Sequence, residues 1–271
     1  MTTLPHQPDW FLHAHLAATL DERLSILRQP PAHILLAAAD GNESYRLLKM
    51  RYPHARFQEF DSRDRYLQAA QAMRKAKLNW LQKFNSSLPV QTVSDQLPGN
   101  QAADMVWSNL GLIHQADPIA VINNWAGALR PDGLLFFSHF GADTLKEVLT
   151  LWRTAGIVVK TPHLLDMHDL GDMLYQHGFY DPVMDMNMLT LQYTKAERFI
   201  DDMRTAGLWQ SLQFDNEIDA VRILVQAWKN NDIHNVTLEL VYGHGVKKQI
   251  LPDNATPIQF YPSSPTKKFK P

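Results

Sequence analysis

The sequence predicts a doubly wound α/β fold, in which helices cover both faces of a mostly parallel sheet. Short apolar runs alternate with helical patterns as far as about residue 140, and this alternation is typical of parallel sheets. The clearest unit is an apolar run at 104–109, a helical segment that ends at Arg-Pro-Asp-Gly133, and a second apolar run through Phe140. Strand, crossover helix and strand are the parts of a parallel βαβ unit.

The composition is that of an ordinary globular protein. Of its 271 residues 45% are apolar and 20% are charged, and the formal charge of −2 does not predict nucleic acid as a partner. Cysteine is absent, which excludes disulfides, thiolate metal ligands and cysteine nucleophiles. The N-terminal residues show no signal-peptide pattern, and no apolar run reaches the roughly 18 residues of a membrane span. We therefore expect a cytoplasmic protein with no membrane partner.

The elements of the first half follow from periodicity and turn signals. Apolar residues at helical spacing predict a helix over 9–28, which Pro30 and Pro31 end. The next predicted elements are a strand at 34–39, a helix at 44–52, a strand at 55–61, a helix at 62–83, and strands at 90–93 and 105–108.

The pattern changes after Phe140. Helices are predicted at 142–154 and 166–177, and strict alternation predicts a long, half-exposed strand at 182–193. Helices at 195–207 and 218–229 precede a last strand at 236–241. The predicted domains are an α/β core of residues 1–194 and 235–251, a helical lid inserted at 195–234, and a flexible tail at 252–271, which is rich in proline.

Polar residues at the ends of the predicted strands mark a candidate ligand site. Asp61 ends the second strand, Asp95 follows the third and Asn109 follows the fourth. Ligands of open α/β sheets bind at the carboxyl ends of the strands, so the three residues together favour binding, although each alone is more often a solvated polar group. The loop after the first strand, residues 37–43, is Ala-Ala-Ala-Asp-Gly-Asn-Glu and is not rich in glycine.

Seven short motifs follow one another along most of the chain, and they carry a family resemblance. They are Ser94-Asp-Gln-Leu-Pro98, Asp104-Met-Val-Trp-Ser-Asn-Leu-Gly111, Leu129-Arg-Pro-Asp-Gly133, Phe140-Gly-Ala-Asp-Thr-Leu-Lys-Glu147, Asp166-Met-His-Asp-Leu-Gly-Asp172, Gly178-Phe-Tyr-Asp-Pro-Val-Met-Asp-Met186 and Val241-Tyr-Gly-His244. Together they resemble class I S-adenosylmethionine-dependent methyltransferases, and most closely the malonyl-acyl-carrier-protein O-methyltransferases of biotin synthesis. The motifs that begin at Phe140 and Asp166 are the most specific to this subgroup.

The resemblance implies a Rossmann-like methyltransferase sheet with an antiparallel last strand, and S-adenosylmethionine as the cofactor. It implies that Asp61 binds the ribose hydroxyls, because one carboxylate can accept hydrogen bonds from both. It further implies that Asp95 meets the adenine amino group beside the backbone of Gln96 and Leu97. Asn109 would lie near the methionine end of the cofactor.

The loop after the first strand departs from the family pattern. The family has an acid followed by three small or glycine positions, and the matching residues here are Leu36, Ala38, Asp40 and Asn42. Glycine there would let the backbone approach the cofactor and adopt a positive φ. We expect Ala38, Asp40 and Gly41 to contact the methionine part. Asp40 would either repel its carboxylate or bind its ammonium group in place of the missing acid.

Further candidates are weaker. His139 and Asp143 follow the fifth strand and are candidate substrate contacts, but Asp143 and Thr144 also fit as caps of the next helix. No metal site is predicted, because neither His13 with His15 nor the motif around His168 has a third ligand at a suitable spacing. Lysine pairs near the C-terminus suit either an acidic carrier protein or a solubilising role.

Three functions remain open from the sequence. The resemblance implies methyl transfer to the free carboxylate of malonyl-acyl-carrier protein. This reaction needs alignment rather than a general base, because the carboxylate is ionised at neutral pH. The substituted loop instead favours a non-catalytic methyltransferase-fold protein that acts in binding or assembly. A third alternative is a hydroxylase like the complex I assembly factors, which share the motif at 140–145.

Overall fold

The computed structural model describes residues 4–77 and 88–249. Its strands are β1 (His33–Ala37), β2 (Arg56–Phe60), β3 (Val90–Thr92), β4 (Ala103–Asn109), β5 (Leu129–Phe140), β6 (Val159–Lys160), β7 (Phe179–Gln192), β8 (Gln213–Phe214) and β9 (Asn235–Lys247). Its helices are α1 (Phe11–Arg23), α2 (Glu43–Arg51), α3 (Asp64–Lys77), α4 (Pro118–Ala128), α5 (Lys146–Thr154), α6 (Met167–Gln176), α7 (Ala196–Thr205), α8 (Leu208–Ser211) and α9 (Glu217–Asn230), with a 3₁₀ turn at Leu24–Ile26.

Seven strands form one sheet in the order β3-β2-β1-β4-β5-β9-β7. The pairs among β1 to β5 are parallel, whereas β9 runs antiparallel to both of its neighbours. This topology confirms the predicted doubly wound α/β sheet with an antiparallel last strand. Because β1 lies between β2 and β4, the loops after these three strands converge at one edge of the sheet.

Successive apolar side chains of a strand point to opposite faces of the sheet, as the two-residue period of a strand requires. Trp107 and Phe136 point into a core with α1, α2, α5 and the helices of residues 196–230. Val106 and Phe137 point into a second core with α4 and α6. Two helix starts are capped as their sequences suggest: Asp117 accepts a hydrogen bond from the Ala120 amide, and Asp166 accepts two at the start of α6.

The edge pair of strands is longer than predicted. β7 and β9 pair along nearly their whole length, with a register shift between Tyr180 and Val183. Pro182 lies inside that shift, and the missing amide of proline explains why the ladder is interrupted there. Three short elements, β6, β8 and α8, were not predicted because two to four residues carry no measurable periodicity. Residues 78–83 of the predicted third helix and the predicted tail at 252–271 lie outside the described residues.

The expected capping of the helix after β5 is wrong. α5 begins at Lys146, and its N-cap is Leu145, which has a φ of 63° and no side-chain capping bond. The hydroxyl of Thr144 instead bonds the backbone of Glu239 in β9, donating at 3.2 Å and accepting at 3.1 Å. Asp143 pairs with Lys146 at 3.0 Å. Partners from β9 have replaced the local capping bonds.

The helices between β7 and β9 share a core with α5. The buried Trp152 makes edge contacts with Trp209 and Phe214, at centroid distances of 5.9 and 5.2 Å. Its indole nitrogen donates to the carbonyl of Ala220 at 2.9 Å. The division into core and lid domains stays a prediction. Across residues 4–77 and 88–249 the structure has no helix that is both long enough and apolar enough to cross a membrane.

Replacing Trp152 with alanine is expected to lower the free energy of unfolding by about 3–5 kcal/mol, the usual cost of emptying an aromatic core position. Urea denaturation of the full chain measures this change. Met50 is 74% exposed, so Met50→Ala serves as the control and should change stability by less than about 0.5 kcal/mol. Equal effects of the two substitutions would contradict the packing described here.

Candidate functional site

The loops after β1, β2 and β4 meet at the carboxyl edge of the sheet, as the sequence predicts. The amide of Ala38 donates to the carbonyl of Phe60 at 2.8 Å. The next amide, that of Ala39, donates to the Asp61 carboxylate at 2.9 Å. Asn109, at the end of β4, reaches the same region, because its side-chain nitrogen donates to the Asp40 carboxylate at 2.8 Å.

The loop after β1 has three residues with the positive φ angles that glycine adopts most easily, but only one of them is glycine. The φ angles of Ala38, Gly41 and Asn42 are 90°, 67° and 88°. Positive φ is uncommon for alanine and costs energy because Cβ crowds the following carbonyl oxygen. The backbone of this loop is therefore left-handed at three residues, two of which carry a side chain.

Hydrogen bonds hold this strained loop in place. Asp40 is buried and accepts from the amide and hydroxyl of Ser44 as well as from Asn109. Burial raises the pKa of Asp40, against the opposing effect of these hydrogen bonds. The side chain of Asn109 is fully used, because it also donates to the carbonyl of His13 and accepts from Ser138.

A buried ion pair supports the loop from the other side. Asn42 accepts a hydrogen bond from the Nε of Arg74 at 2.9 Å. Arg74 also forms two parallel bonds to the Glu59 carboxylate, at 2.6 and 2.7 Å, and both side chains are nearly inaccessible to solvent. This bidentate geometry is the strongest form of a guanidinium–carboxylate pair, and it connects the loop to β2.

The N-terminal segment covers the loop. A Cβ atom on Gly41 would lie 2.2–2.5 Å from the indole carbons of Trp10, so no other residue fits at this position. The Trp10 ring makes edge contacts with His13 and Tyr66. The indole nitrogen of Trp10 and the Nδ1 of His13 are buried, and neither has a hydrogen-bond partner in the described part of the chain.

Arg63 forms an ion pair with the carboxylate of Asp61. The Nε and Nη2 atoms of Arg63 donate to the two oxygens of Asp61 at 2.9 and 2.8 Å, and the Arg63 amide adds a third bond at 2.8 Å. The guanidinium also lies 3.8 Å from the ring centroid of Tyr66. Burial opposes the charge of Arg63, but the charge and hydrogen bonds of Asp61, together with Tyr66 and Asp95, outweigh it and raise the pKa of Arg63. The position that the resemblance gives to ribose is thus taken by this chain's own cation.

Asp95 and its neighbours stand where the resemblance places adenine. Burial raises the pKa of Asp95, but hydrogen bonds with the His114 ring and Ser62 together lower it by more. The pKa of Asp95 therefore lies below its usual range. Leu97 is buried and is held by reciprocal backbone bonds with the Asn124 side chain, whereas Gln96 is exposed. The cavity beside these residues measures about 10 Å³, which is too small for a base.

A large cavity opens next to this closed region. Its volume is about 680 Å³, within the range of small-molecule sites. The lining residues come from the loops after β2, β4 and β6 and from the segment from α7 to α9, and they are Arg63, Ile113, His114, Gln115, Ala116, Thr161, Pro162, His163, Arg204, Trp209, Gln210, Ser211, Leu212, Gln213, Phe214 and Glu217. The cavity lies between the ligand edge of the sheet and the inserted helices.

The two weaker candidates do not line this cavity. His139 is buried, and its Nε2 lies 2.8 Å from the carbonyl of His163. Burial lowers the pKa of His139 to about 4. Asp143 is exposed and paired with Lys146. The structure therefore brings together the residues of the cofactor prediction but leaves these two outside the cavity.

Sequence reasoning missed Arg63, Trp10 and Arg204. The one local signal was the spacing of Arg63, two residues after the strand-end acid Asp61. Among the described residues, Asp61, Asp95 and His114 have ligand atoms within 4.8 Å of one another. The Arg63 guanidinium already supplies the positive charge there, so this cluster does not favour a metal ion.

Several known proteins are similar to this chain in structure or in sequence. No family model matches the chain. Among solved structures, YcgJ from Bacillus subtilis covers 87% of this chain and 99% of its own, with a TM-score of 0.58 and 13% identity. Phosphoethanolamine N-methyltransferase 2 from Haemonchus contortus covers 89% of this chain and 57% of its own, with a TM-score of 0.52 and 14% identity. The sheet and these likenesses define the chain as a protein with the Rossmann-like methyltransferase fold.

Sequence relatives identify the family. A malonyl-[acyl-carrier protein] O-methyltransferase from Gallionella capsiferriformans is 34% identical over 239 residues, which cover 83% of this chain and 80% of the relative. The protein of the same name from Laribacter hongkongensis is 30% identical over 258 residues, covering 90% and 86%. The chain belongs to the malonyl-[acyl-carrier protein] O-methyltransferase family, which is a family of enzymes.

Acidification is expected to destabilise the protein through two buried histidines. Burial, followed by the charge of Arg63, lowers the pKa of His13 to about 3, and burial lowers that of His139 to about 4. The unfolded chain binds these protons near pH 6.5, so stability is complete above that pH and falls as the pH drops toward 4. At pH 5 the loss is on the order of 2 kcal/mol for each histidine.

Urea denaturation between pH 7 and pH 4.5 measures this dependence. His139→Gln should reduce the slope of unfolding free energy against pH, because one of the two groups no longer titrates. An unchanged slope in this variant would show that His139 is not held neutral by burial.

Glycine should be tolerated at Ala38 but not in a helix. Ala38→Gly relieves a left-handed strain of roughly 1–2 kcal/mol, which the added freedom of the unfolded chain offsets by about 0.4–1 kcal/mol. Stability should stay the same or rise. The control is Ala18→Gly on the exposed face of α1, which should cost about 1 kcal/mol. Similar losses in both variants would argue against strain at Ala38.

Proposed function

We propose that this chain is an S-adenosylmethionine-dependent O-methyltransferase that methylates the free carboxylate of malonyl-[acyl-carrier protein], the substrate in the name of its relatives. The supporting observation is the meeting of the left-handed loop at 38–42, Asp61 and Asp95 at one sheet edge, beside a cavity of about 680 Å³. From its family we infer a role in biotin synthesis, with an acyl-carrier protein as partner.

The polar groups of the site fit this cofactor. Trp10 Nε1 is a donor, and His13 Nδ1 donates in one tautomer of the neutral ring. Both are buried beside the loop without a partner among the described residues, and a buried donor without a partner is costly unless a ligand satisfies it. The carboxylate of the methionine part would accept such bonds. Asp61 and Asp95 would accept from the ribose hydroxyls and the adenine amino group.

The site has room for the cofactor only after a rearrangement. Arg63 fills the ribose position, and the adenine position measures about 10 Å³. Arg63 also lines the large cavity, so its guanidinium has space to move into when it leaves Asp61. On this proposal, the ribose hydroxyls of the cofactor replace the Arg63 guanidinium as the partner of Asp61.

The chain's own contribution to the reaction would be binding and alignment. The cofactor supplies an electrophilic methyl group when it is bound. The cavity would hold the substrate carboxylate in line with that group, and the helices α7 to α9 would exclude water. No residue has to remove a proton, because the carboxylate is already ionised at neutral pH. Alignment of this kind can supply much of the rate enhancement of a bimolecular reaction.

A second candidate is a non-catalytic member of the fold, and the Asp61–Arg63 pair favours it. In that case the guanidinium replaces the cofactor permanently, and the same contacts stabilise a binding or assembly protein. No feature of the described residues favours the hydroxylase alternative over these two.

Calorimetric titration with S-adenosylmethionine separates the two candidates. The full chain is expected to bind the cofactor, and Arg63→Met should bind it more tightly because the competing guanidinium is gone. Asp61→Ala should weaken binding by about 10- to 100-fold through lost hydrogen bonds. Because that variant leaves Arg63 buried without its partner, the double variant Asp61→Ala/Arg63→Met is the matched control for folding.

The outcomes are distinct. No binding by either the full chain or Arg63→Met up to millimolar cofactor would contradict the enzymatic proposal and support the second candidate. If the cofactor binds, mass spectrometry of malonyl-[acyl-carrier protein] should detect one added methyl group. Acetyl-[acyl-carrier protein], which has no free carboxylate, should remain unmodified.

A further inference from the structure

The large cavity contains a cation, Arg204, whose guanidinium makes no hydrogen bond among the described residues. Two arginines line the cavity. Arg63 is neutralised by its two bonds to Asp61. Arg204 has a long contact of 3.6 Å with Asp201, which exceeds hydrogen-bond distance. Its guanidinium carbon lies 6.0 Å from the ring centroid of Trp209, at the outer limit of a cation–π contact.

Two other titratable side chains of the cavity, His114 and Glu217, have hydrogen-bond partners of their own. Burial, followed by the charge of Arg63, lowers the pKa of His114, so this ring is neutral at pH 7. Glu217 is the one carboxylate among the lining residues of the described chain, and its Oε1 accepts from the indole nitrogen of Trp209 at 3.0 Å. The guanidinium donors of Arg204, in contrast, make no hydrogen bond among the described residues, so they are available to an anion.

The backbone of Arg204 is firmly held. Its carbonyl accepts from the hydroxyl of Tyr66 at 2.7 Å and from the side-chain amide of Gln210 at 2.9 Å. Tyr66 is the same ring on which the Arg63 guanidinium stacks. The side-chain oxygen of Gln210 is buried and has no partner in the described part of the chain. The backbone that carries the Arg204 side chain is thus fixed at the cavity wall.

We propose that Arg204 binds the free carboxylate of the acyl substrate and thereby selects thioesters of dicarboxylic acids. This assignment rests on the proposed function and deepens it. A guanidinium matches a carboxylate in charge and in planar geometry, and it is charged at every working pH. Methylation converts the carboxylate to a neutral ester, which loses this ion pair, so the product is bound less tightly than the substrate.

Kinetics of the full chain test this assignment. Arg204→Gln should lower kcat/KM for malonyl-[acyl-carrier protein] by about 10- to 100-fold, the value of a charge-assisted hydrogen bond, with most of the change in KM. Arg204→Lys should restore part of the loss because it keeps the charge. Arg222→Gln is the control, because Arg222 is exposed, pairs with Asp219 at 2.7 Å and does not line this cavity.

A binding measurement makes the test independent of turnover. Calorimetry with malonyl-pantetheine should show weaker binding to Arg204→Gln than to the full chain and to Arg222→Gln. Acetyl-pantetheine, which lacks the carboxylate, should bind all three equally.

Failure of this assignment and failure of the proposed function give different results. If the full chain methylates its substrate and Arg204→Gln matches it in KM, the role of Arg204 is wrong and the proposed function stands. If the full chain neither binds S-adenosylmethionine nor transfers a methyl group, the proposed function is wrong. The malonyl-pantetheine titration then still decides about Arg204: weaker binding by Arg204→Gln supports its role, and equal binding overturns it.

Discussion

The rest of the site depends on how the buried carboxylate of Asp61 is satisfied. A buried carboxylate must be paired and hydrogen-bonded, because its desolvation costs several kcal/mol. Asp61 meets this requirement with the amide of Ala39 and with the amide and guanidinium of Arg63. These bonds set the loop after β1, the entry to α3 and the position of the guanidinium over Tyr66. Tyr66 in turn holds the carbonyl of Arg204, so one ion pair links the carboxyl edge of the sheet to the cavity wall.

The loop after β1 shows how a backbone shape can persist when its usual residues are replaced. Left-handed alanine and asparagine are unfavourable in isolation, and such strain persists where the surroundings over-determine it. Here Asp40, Asn109 and Arg74 provide those surroundings through buried hydrogen bonds. Trp10 then closes over Gly41, the one position in the loop that has no room for a side chain.

Two adjoining regions of the site differ in the way that charge is compensated. At the sheet edge, the carboxylates of Glu59 and Asp61 each hold an arginine in bidentate geometry. Within the described residues, Arg204 of the large cavity has no carboxylate within hydrogen-bond distance. An internal cation therefore closes the first region, while the second contains a guanidinium whose donors are unused. A family member with these features would have to open the first region before both ligands of a methyl transfer fit.

The sequence by itself determined the fold class, the order of the elements and the delivery of Asp61, Asp95 and Asn109 to one sheet edge, because periodicity and strand ends are local properties. Tertiary structure decided which partners those side chains have. Glu239 of β9 displaced the predicted capping role of Thr144, and Trp10 and Tyr66 reach residues far along the chain at Gly41 and Arg204. Such contacts depend on how whole elements pack, and no local pattern encodes the distance between two side chains that the fold alone brings together.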